Sequence, residues 1–308
     1  MTQQQDDTPA AGRLSADLGL RLIRLGLDPS DVVRVVQAAL AEDLGGGPDV
    51  TTQATISPAE RGTAEFVTRA DGVVAGLAVA EAVFELAGQD GPVISVRHRA
   101  ADGDRVTAGQ VLATVDGPLP AILTAERTAL NLLTHLSGVA TLTRRWADAV
   151  EGTRARIRDT RKTLPGLRSL EKYAVRCGGG VNHRMSLSDA ALIKDNHVAA
   201  AGSVTAAFEA VRRLAPGLPV EVECDTPDQV AEAVAAGASL ILLDNFTVPQ
   251  LRVAVAATAG RALLEASGGL RLENAAQVAA TGVDYLAIGA LTHSAPALDI
   301  GLDLLRAG

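Results

Sequence analysis

The stretch V-E-V-E-C-D-T-P-D-Q-V-A-E-A-V-A-A-G-A-S-L-I-L-L-D-N, residues 220–245, holds two short apolar runs that start roughly 20 residues apart. The first run, 220–222, and the second, 240–243, have the length and the aliphatic content of buried strands. Residues 227–236, between the two runs, have a helical composition. A strand, a helix and a second strand in this order predict one unit of a parallel α/β sheet.

Similar runs lie on both sides of this stretch, so the unit repeats. They are centred on Ile157 and on residues 192–193, 263–264 and 286–288, and a further helical stretch covers 274–280. The pattern predicts a parallel α/β barrel that stays open, because it has fewer than eight strands.

The first part of the chain has a different pattern. Residues 93–117 alternate short apolar runs with D-G and A-G turns, which predicts antiparallel strands. Residues 30–40 predict an N-capped amphipathic helix, and 42–52 predict a polar turn. Residues 122–139 place apolar side chains at helical spacing, and Gly138 is expected to break or kink that helix.

Composition narrows the class of protein. The chain has 308 residues, of which 47% are hydrophobic but only 2% aromatic, so its core must be aliphatic. Two cysteines are too few for a disulfide framework, which favours a cytoplasmic location. No apolar run approaches the ~18 residues of a membrane span. The first residues lack the apolar core of a signal peptide, and we expect residues 1–12 to be disordered.

The lysines are unusual in number and position. The chain has 25 arginines but only three lysines, at positions 162, 172 and 194. Residues 154–197 hold ten basic and four acidic side chains, although the formal net charge of the whole chain is −8. A basic site in an acidic protein indicates a small polyanionic ligand, because nucleic-acid surfaces usually belong to basic domains. We expect Lys162 and Lys194 to contact the substrate, and Lys172 to pair with a neighbouring acid.

Each predicted barrel strand is followed by polar residues. Active sites of parallel barrels lie at the C-terminal ends of their strands, so these residues should share one rim. Basic residues match carboxylates, acid pairs match sugar hydroxyls or Mg²⁺, and glycine-rich turns bind phosphate. The rim therefore predicts a planar polycarboxylate and a phosphorylated sugar as substrates. Its members are Arg161, Lys162, Arg184, Lys194, Glu221, Glu223, Asp244, Asn245, Ser267, Gly268, Gly269, Gly289, Ala290 and His293.

Three motifs carry a resemblance to a known family. They are T-R-K-T-L-P-G-L-R (160–168), G-G-G-V-N-H-R (178–184) and K-D-N-H (194–197). With P-D-V-T-T (48–52), E-R-T-A-L-N (126–131) and E-A-S-G-G (265–269), the chain resembles quinolinate phosphoribosyltransferase over nearly its whole length.

The resemblance implies a fold of the type II phosphoribosyltransferase kind. An α/β sandwich domain, 13–129, would be completed by 294–308, and an open α/β barrel, 130–293, would hold the active site. It also implies a pentosyltransferase of NAD biosynthesis. Quinolinate and 5-phosphoribosyl-1-pyrophosphate would give nicotinate mononucleotide, pyrophosphate and CO₂, with Mg²⁺.

The resemblance also implies roles for individual residues. Lys162, Lys194, Glu223 and Asp244 would be catalytic, and the last two would hold the ribose and its metal. Arg127 would complete the site of a neighbouring subunit, so the working unit would be at least a homodimer, with neither nucleic acid nor membrane as partner. The remaining substrate-binding residues would be Thr160, Arg161, His183, Arg184, Ser267, Gly268, Gly269, Ile288, Gly289, Ala290 and His293.

Other readings remain open from sequence. Nicotinate phosphoribosyltransferase has a related barrel but binds one carboxylate, and a pyrophosphorylase-like protein of molybdenum-transport operons is a second relative. A Schiff-base aldolase would use Lys194 as its nucleophile, although such a lysine needs an apolar setting. A non-catalytic anion-binding protein would leave Glu223 and Asp244 without a role.

Overall fold

A computed structural model describes residues 14–88 and 93–305 of the chain. The tail predicted to be disordered, 1–12, lies outside the described residues. The chain forms two compact units. Unit 1 comprises Met1–Ala140 and Pro296–Gly308, and unit 2 comprises Thr141–Ala295. The sequence-based boundaries are 129/130 and 293/294, so the first division lies eleven residues further along the chain.

Unit 1 is built on a four-stranded antiparallel sheet. Its strand order is β12-β1-β5-β3, so the last strand of the chain pairs with the first. A separate two-stranded sheet joins β2 and β4. The strands are β1 (Arg61–Thr68), β2 (Gly72–Val73), β3 (Ser95–His98), β4 (Arg105–Val106), β5 (Val111–Pro118) and β12 (Ile300–Leu305), and the helices are α1 (Ala16–Arg24), α2 (Pro29–Leu44), α3 (Val50–Thr55), α4 (Leu77–Ala87) and α5 (Leu119–Ala149).

Two helix starts in unit 1 differ from the sequence-based expectation. Helix α2 begins at Pro29, and its cap is Asp28, whose side chain accepts a hydrogen bond from the backbone N–H of Ser30. The expected polar turn at 42–52 is wrong at both ends, because α2 continues to Leu44 and α3 begins at Val50. Asp49 caps that helix by accepting the N–H of Thr52 at 3.0 Å. Both caps satisfy backbone donors that a helix start leaves unpaired.

Helix α5 is continuous through Gly138, so the expected break is wrong. A side chain at position 138 would collide with the backbone oxygen of Pro296 and with the Cα atom of Ala297. The glycine therefore allows the C-terminal segment to lie close against the helix, and a Cβ atom at this position would prevent that contact. The first 22 residues of α5 belong to unit 1 and the rest to unit 2.

Unit 2 is an open parallel α/β sheet. Six strands pair in the order β6-β11-β10-β9-β8-β7, and every pairing is parallel. All six strands predicted from sequence are present, which confirms the open architecture of fewer than eight strands. The strands are β6 (Arg156–Arg158), β7 (Ala191–Ile193), β8 (Val220–Cys224), β9 (Leu240–Asp244), β10 (Leu263–Ser267) and β11 (Tyr285–Ala287), and the helices are α6 (Arg168–Cys177), α7 (Asp195–Ala201), α8 (Val204–Leu214), α9 (Pro227–Ala235), α10 (Val248–Thr258), α11 (Leu272–Ala279) and α12 (Ala290–His293).

Apolar side chains fix the helices against this sheet. Val222, Ile241 and Leu264 of the strands are 0–3% exposed, as are Val230 of α9 and Leu251 of α10. Strands that are covered on both faces need continuous apolar runs, which is the pattern seen in sequence. Within residues 14–88 and 93–305, no helix has the length and hydropathy to cross a membrane.

Candidate active site

A cavity of about 400 Å³ opens at the C-terminal ends of the unit 2 strands. Nine of the residues predicted for the site line it, together with four that were not predicted: Leu192, Leu242, Glu265 and Ala287. The nine predicted residues are Thr160, Arg161, Lys162, His183, Arg184, Lys194, Glu223, Asp244 and Ser267.

Strand geometry explains this lining. Successive side chains of a strand point to opposite faces, so residues two apart share one face. Asp244 and Ser267 are register partners on β9 and β10, and Leu242 and Glu265 are partners two residues earlier. The cavity therefore has a rim level at the strand ends and a floor level two residues earlier on each strand.

One wall of the cavity is cationic. The Nε atoms of Arg161 and Arg184 are buried, and neither has a hydrogen-bond partner among the described residues. Burial lowers the pKa of Arg184, and the neighbouring charge of Arg161 lowers it further. Arg184 is held in place through Nη1, which donates to the carbonyl of Ala190 at 3.0 Å. Two guanidinium groups that repel each other and retain unused donors form a receptor for an anion.

The facing wall is acidic. Burial raises the pKa of Asp244, and the charge of Asp225 adds to the effect, whereas Lys194 and Lys162 oppose it. Asn245, which has a positive φ of 55°, donates from Nδ2 to Asp244 at 2.7 Å. Lys194 reaches across the rim and pairs with Glu223.

His183 lines the cavity, and both of its ring nitrogens contact other groups of the protein. Its Nδ1 atom accepts the backbone N–H of Arg184 at 2.7 Å, so this nitrogen carries no proton. Its Nε2 atom lies 2.7 Å from Oε2 of Glu221 and donates to it. Both ring nitrogens are therefore used by the protein, and the cationic wall consists of the two arginines and two lysines.

A buried ion pair supports His183 from behind. Lys172, with a fully buried side chain, pairs with Asp159 and donates to the carbonyl of His183 at 2.9 Å. Asp159 also accepts the N–H of His183 at 2.7 Å and the Nδ2 group of Asn182 at 2.6 Å. Lys172 was expected to pair with an acid near it in sequence, but its partner is 13 residues away.

Sequence reasoning missed the acid at the floor of the cavity. Glu265 is 0% exposed, and its Oε2 atom lies 2.5 Å from Nη1 of Arg158. Its Oε1 atom has no hydrogen-bond partner within the described residues, and the same holds for Oε1 of Glu221. Burial raises the pKa of Glu265 to about 8, and the charge of Glu221 contributes while Arg158 opposes the rise.

His183, Glu221 and Glu265 have ligand atoms that lie within 4.8 Å of one another, a grouping that could in principle hold a metal ion. The guanidinium of Arg158 lies among these acids, 3.9 Å from Oε1 of Glu221, and supplies the positive charge there. Residues two apart in a strand share one face, and this rule could have identified Glu265 from sequence. Glu265 precedes Ser267 by two residues, just as Glu221 precedes Glu223.

The predicted phosphate loops adjoin the cavity, although most of their residues are not part of its described lining. A Cβ atom at Gly289 would lie 2.9 Å from Cδ of Lys162 and 3.6 Å from Oγ1 of Thr160. Gly268 has a φ of +84°, and a side chain there would collide with Asn245. Predicted residues of the loops outside the lining are Gly268, Gly269, Ile288, Gly289, Ala290 and His293.

Arg127 differs from the other predicted residues because it belongs to unit 1. Its side chain is exposed on helix α5. The cavity described above is formed by residues of unit 2 alone. Its predicted role at the site of a neighbouring subunit stays a prediction.

Comparison with known proteins identifies the family. Residues 49–137 match the N-terminal domain model of quinolinate phosphoribosyl transferase, and residues 139–303 match its C-terminal domain model. Together the two matches cover most of the chain.

Relatives and solved structures agree with these matches. The chain is 58% identical to the carboxylating nicotinate-nucleotide pyrophosphorylase of Mycobacterium leprae, over 87% of this chain and 95% of that protein. It is 44% identical to the probable enzyme of that name in Bacillus subtilis, over 85% and 90% of the two chains. The crystal structure of NadC from Streptococcus pyogenes superposes with a TM-score of 0.85 and 40% identity, over 91% of this chain and 99% of that one. The chain therefore belongs to the quinolinate phosphoribosyl transferase family.

Proposed function

We propose that this protein transfers the phosphoribosyl group of 5-phosphoribosyl-1-pyrophosphate to quinolinate, and that the product loses CO₂ to give nicotinate mononucleotide. The observation that carries the proposal is the pair Arg161 and Arg184. Both residues line the cavity, and their Nε atoms are buried without a hydrogen-bond partner among the described residues. A bound dicarboxylate would pair with the two guanidiniums that line the cavity and end the repulsion between them.

Four positive charges face the cavity from this wall, from Arg161, Lys162, Arg184 and Lys194. Quinolinate carries two adjacent carboxylates on a flat ring, and the planar fork of arginine matches a carboxylate with two parallel hydrogen bonds. A single carboxylate would leave part of this charge unpaired. The cationic wall therefore favours quinolinate over nicotinate, the substrate of the rival monocarboxylate enzyme.

The acidic wall suits the sugar. When pyrophosphate leaves, positive charge develops at the anomeric carbon, and carboxylates beside that carbon stabilise it. Glu223 and Asp244 are the rim acids that face the cavity. They are also the residues that would hold Mg²⁺, because carboxylate oxygens are its preferred protein ligands. Lys194 already offsets the charge of Glu223, so we propose that Mg²⁺ arrives bound to the pyrophosphate.

The reaction then needs little from the protein beyond position and charge. The ring nitrogen of quinolinate attacks the anomeric carbon as the bond to pyrophosphate breaks. The nitrogen becomes positive, and the bond between the adjacent ring carbon and its carboxylate breaks with the electron pair left on the ring. Holding both substrates in line accounts for much of such a rate enhancement. The Ser267–Gly269 turn and the backbone at Gly289 are the proposed phosphate contacts.

The remaining features of the proposal concern assembly and location. We propose a homodimer in which Arg127 reaches the partner's site, and a cytoplasmic enzyme with small-molecule substrates only. The exposure of Arg127 on α5 leaves its guanidinium available for such a contact. Sedimentation of the wild type and of Arg127→Ala would test this, because the variant should lose activity while its oligomeric state is unchanged.

The direct test is to incubate the protein with 5-phosphoribosyl-1-pyrophosphate and Mg²⁺, with either quinolinate or nicotinate. Equal amounts of CO₂ and nicotinate mononucleotide from quinolinate alone are expected. Product from nicotinate alone would overturn the proposal in favour of the monocarboxylate enzyme. Arg184→Ala should raise KM for quinolinate by about 10- to 100-fold, the loss of one charged hydrogen bond.

A further inference from the structure

We propose that Glu265 carries a proton in the resting enzyme and gives it to the ring carbon that loses CO₂. This inference rests on the proposed function, since it supplies the last step of that reaction. The step needs an acid inside the cavity, because loss of CO₂ leaves an electron pair on the ring. The floor of the cavity holds an acid that the substrate-binding scheme does not use.

A balance of buried charges requires an additional proton at this floor. Three acids, Asp159, Glu221 and Glu265, are 0–3% exposed. Two cations neutralise them: Lys172, which pairs with Asp159, and Arg158, which pairs with Glu265. The arginines of the cavity wall are not paired with these acids, so in the resting enzyme one buried negative charge at the floor has no cation of its own. Burying an unpaired charge is costly, so the cluster takes up a proton instead.

The hydrogen bonds show where that proton resides. His183 cannot take it, because its Nδ1 atom is filled by the N–H of Arg184 and its Nε2–H already points at Glu221. Oε1 of Glu221 and Oε1 of Glu265 are both buried without a partner in the described chain, and of these two residues Glu265 lines the cavity. Burial and the charge of Glu221 both favour the protonated form there, and they outweigh Arg158.

Glu265 also has the right position. It lines the cavity one level below Ser267 on β10, yet bulk water does not reach it. Its neighbours in the sheet are Leu242 of β9 and Tyr285 of β11, and Arg158 of β6 stacks on Tyr285 at 4.9 Å. A substrate ring between the walls would rest on this level. The floor can therefore deliver a proton to the ring from a side that excludes solvent.

Other groups that line the cavity are less suited to this step. Lys194 is paired with Glu223, and both are engaged at the rim. Lys162 and the two arginines serve as charges for the carboxylates, and an ammonium or guanidinium is a weaker acid than a carboxylic acid. Asp244 faces the sugar side beside Asn245. Glu265 is left as the acid at the level of the ring.

The proposed step balances as follows. The bond between the ring carbon and the carboxylate carbon breaks, its electron pair stays on the ring carbon, and CO₂ leaves. The ring carbon then forms a bond to the proton of Glu265, whose O–H electron pair returns to the oxygen. Glu265 becomes a carboxylate beside Arg158 and is reprotonated from solvent after product leaves. No oxidant, reductant or further reactant is consumed.

The test compares the wild type with Glu265→Gln and Glu265→Asp. Glutamine keeps the shape and neutral charge of the protonated acid but has no acidic proton. We expect Glu265→Gln to form CO₂ and nicotinate mononucleotide about 100- to 10,000-fold more slowly, the usual contribution of a general acid. Its KM for quinolinate should stay within a few-fold of the wild type. Aspartate keeps an acidic proton at a shorter reach, so it should restore part of the rate.

Infrared titration adds a readout that does not depend on turnover. The wild type at neutral pH should show the carbonyl stretch of a protonated carboxylic acid that is absent from Glu265→Gln and fades as pH rises through about 8. Glu221→Gln should lower the midpoint, because it removes the charge that favours the proton.

The outcomes separate the two proposals. Wild-type activity with an unchanged kcat in Glu265→Gln, or a missing carbonyl band, would overturn the role of Glu265 and leave the proposed function intact. A wild type that forms no CO₂ from quinolinate would overturn both, whatever the infrared result.

Discussion

Nζ of Lys194 lies 2.5 Å from Oε2 of Glu223, and this ion pair joins the cationic and acidic walls across the rim of the cavity. The side chain of Lys194 is 46% exposed and that of Glu223 only 11%, so the lysine is the mobile partner. In the proposed reaction both residues are needed by different substrates. Binding must therefore exchange this internal pair for contacts with the carboxylates on one side and the sugar on the other.

Lys194→Ala should reduce kcat/KM for quinolinate by about 10- to 100-fold, because a charged hydrogen bond to the dianion is lost. Glu223 is also left without its counter-ion. Lys194→Arg should not restore the wild-type value, since a planar guanidinium differs from a compact ammonium in reach and geometry. Steady-state kinetics with each substrate varied in turn would measure this. A kcat/KM for Lys194→Ala within a few-fold of the wild type would show that Lys194 does not contact substrate.

Lys172→Met should lower the free energy of unfolding by about 3–5 kcal/mol, because it leaves Asp159 as an unpaired buried charge. Lys194→Met is the matched control, since its ion pair is half exposed and should be worth less than about 1 kcal/mol. Urea denaturation of both variants would compare them. Equal losses in the two variants would contradict the buried-pair account of Lys172.

Gly138→Ala should destabilise unit 1 by about 1–3 kcal/mol, the usual cost of overpacking. The added methyl group would strike the backbone oxygen of Pro296. Gly19→Ala is the matched control, because Gly19 also lies in a helix but has open space around its Cβ position. Alanine there should raise stability by up to about 1 kcal/mol. Thermal melts of the two variants should therefore shift in opposite directions.

Stability should depend on pH through Glu265. Its pKa in the folded protein is raised from 4.5 to about 8, so the folded state binds the proton more tightly than the unfolded state does. The contribution is fully present below pH 4.5 and is lost as pH rises to about 8, with no further change above. Relative to Glu265→Gln, the wild type should thus lose stability across this window. Urea titrations at successive pH values would detect it, and parallel curves for the two proteins would contradict the shifted pKa.

Much of the barrel unit could be predicted from sequence because its signals are local. Each strand is an apolar run a few residues long, and polar residues follow it. The strands and the rim at their C-terminal ends can therefore be located without knowing which strands are hydrogen-bonded to each other. The errors in unit 1 arose where the cause is not local. Gly138 suggested a broken helix, but the segment that requires a glycine there is more than 150 residues away in sequence.

The residues of the candidate site also fall into those that local sequence signals predict and those that depend on tertiary structure. The rim residues Glu223, Asp244 and Ser267 end their strands and were predicted. Glu265 lies inside β10, and Arg158 ends the three-residue strand β6; without the tertiary structure, a charged residue at either place is interpreted as part of an ion pair or of the surface. Two acids and an arginine converge at one floor because the strand order places β6, β10 and β8 at alternate positions of the sheet, and alternate strands contribute side chains to one layer of a barrel. His183 was predicted to bind substrate, but the contact of its ring with Glu221 is a tertiary contact that sequence does not show.

The order of strands in unit 1 bears on how the chain is made. Its sheet includes β12, which follows unit 2 in the chain, so residues 141–295 are synthesised before this strand of unit 1. Domains generally fold as units during synthesis. The barrel unit can thus mature while strand β1 still lacks one neighbour, and β12 completes the first sheet only after unit 2 has been synthesised. The nascent chain would carry an open β-edge for the whole time that the catalytic half is being built.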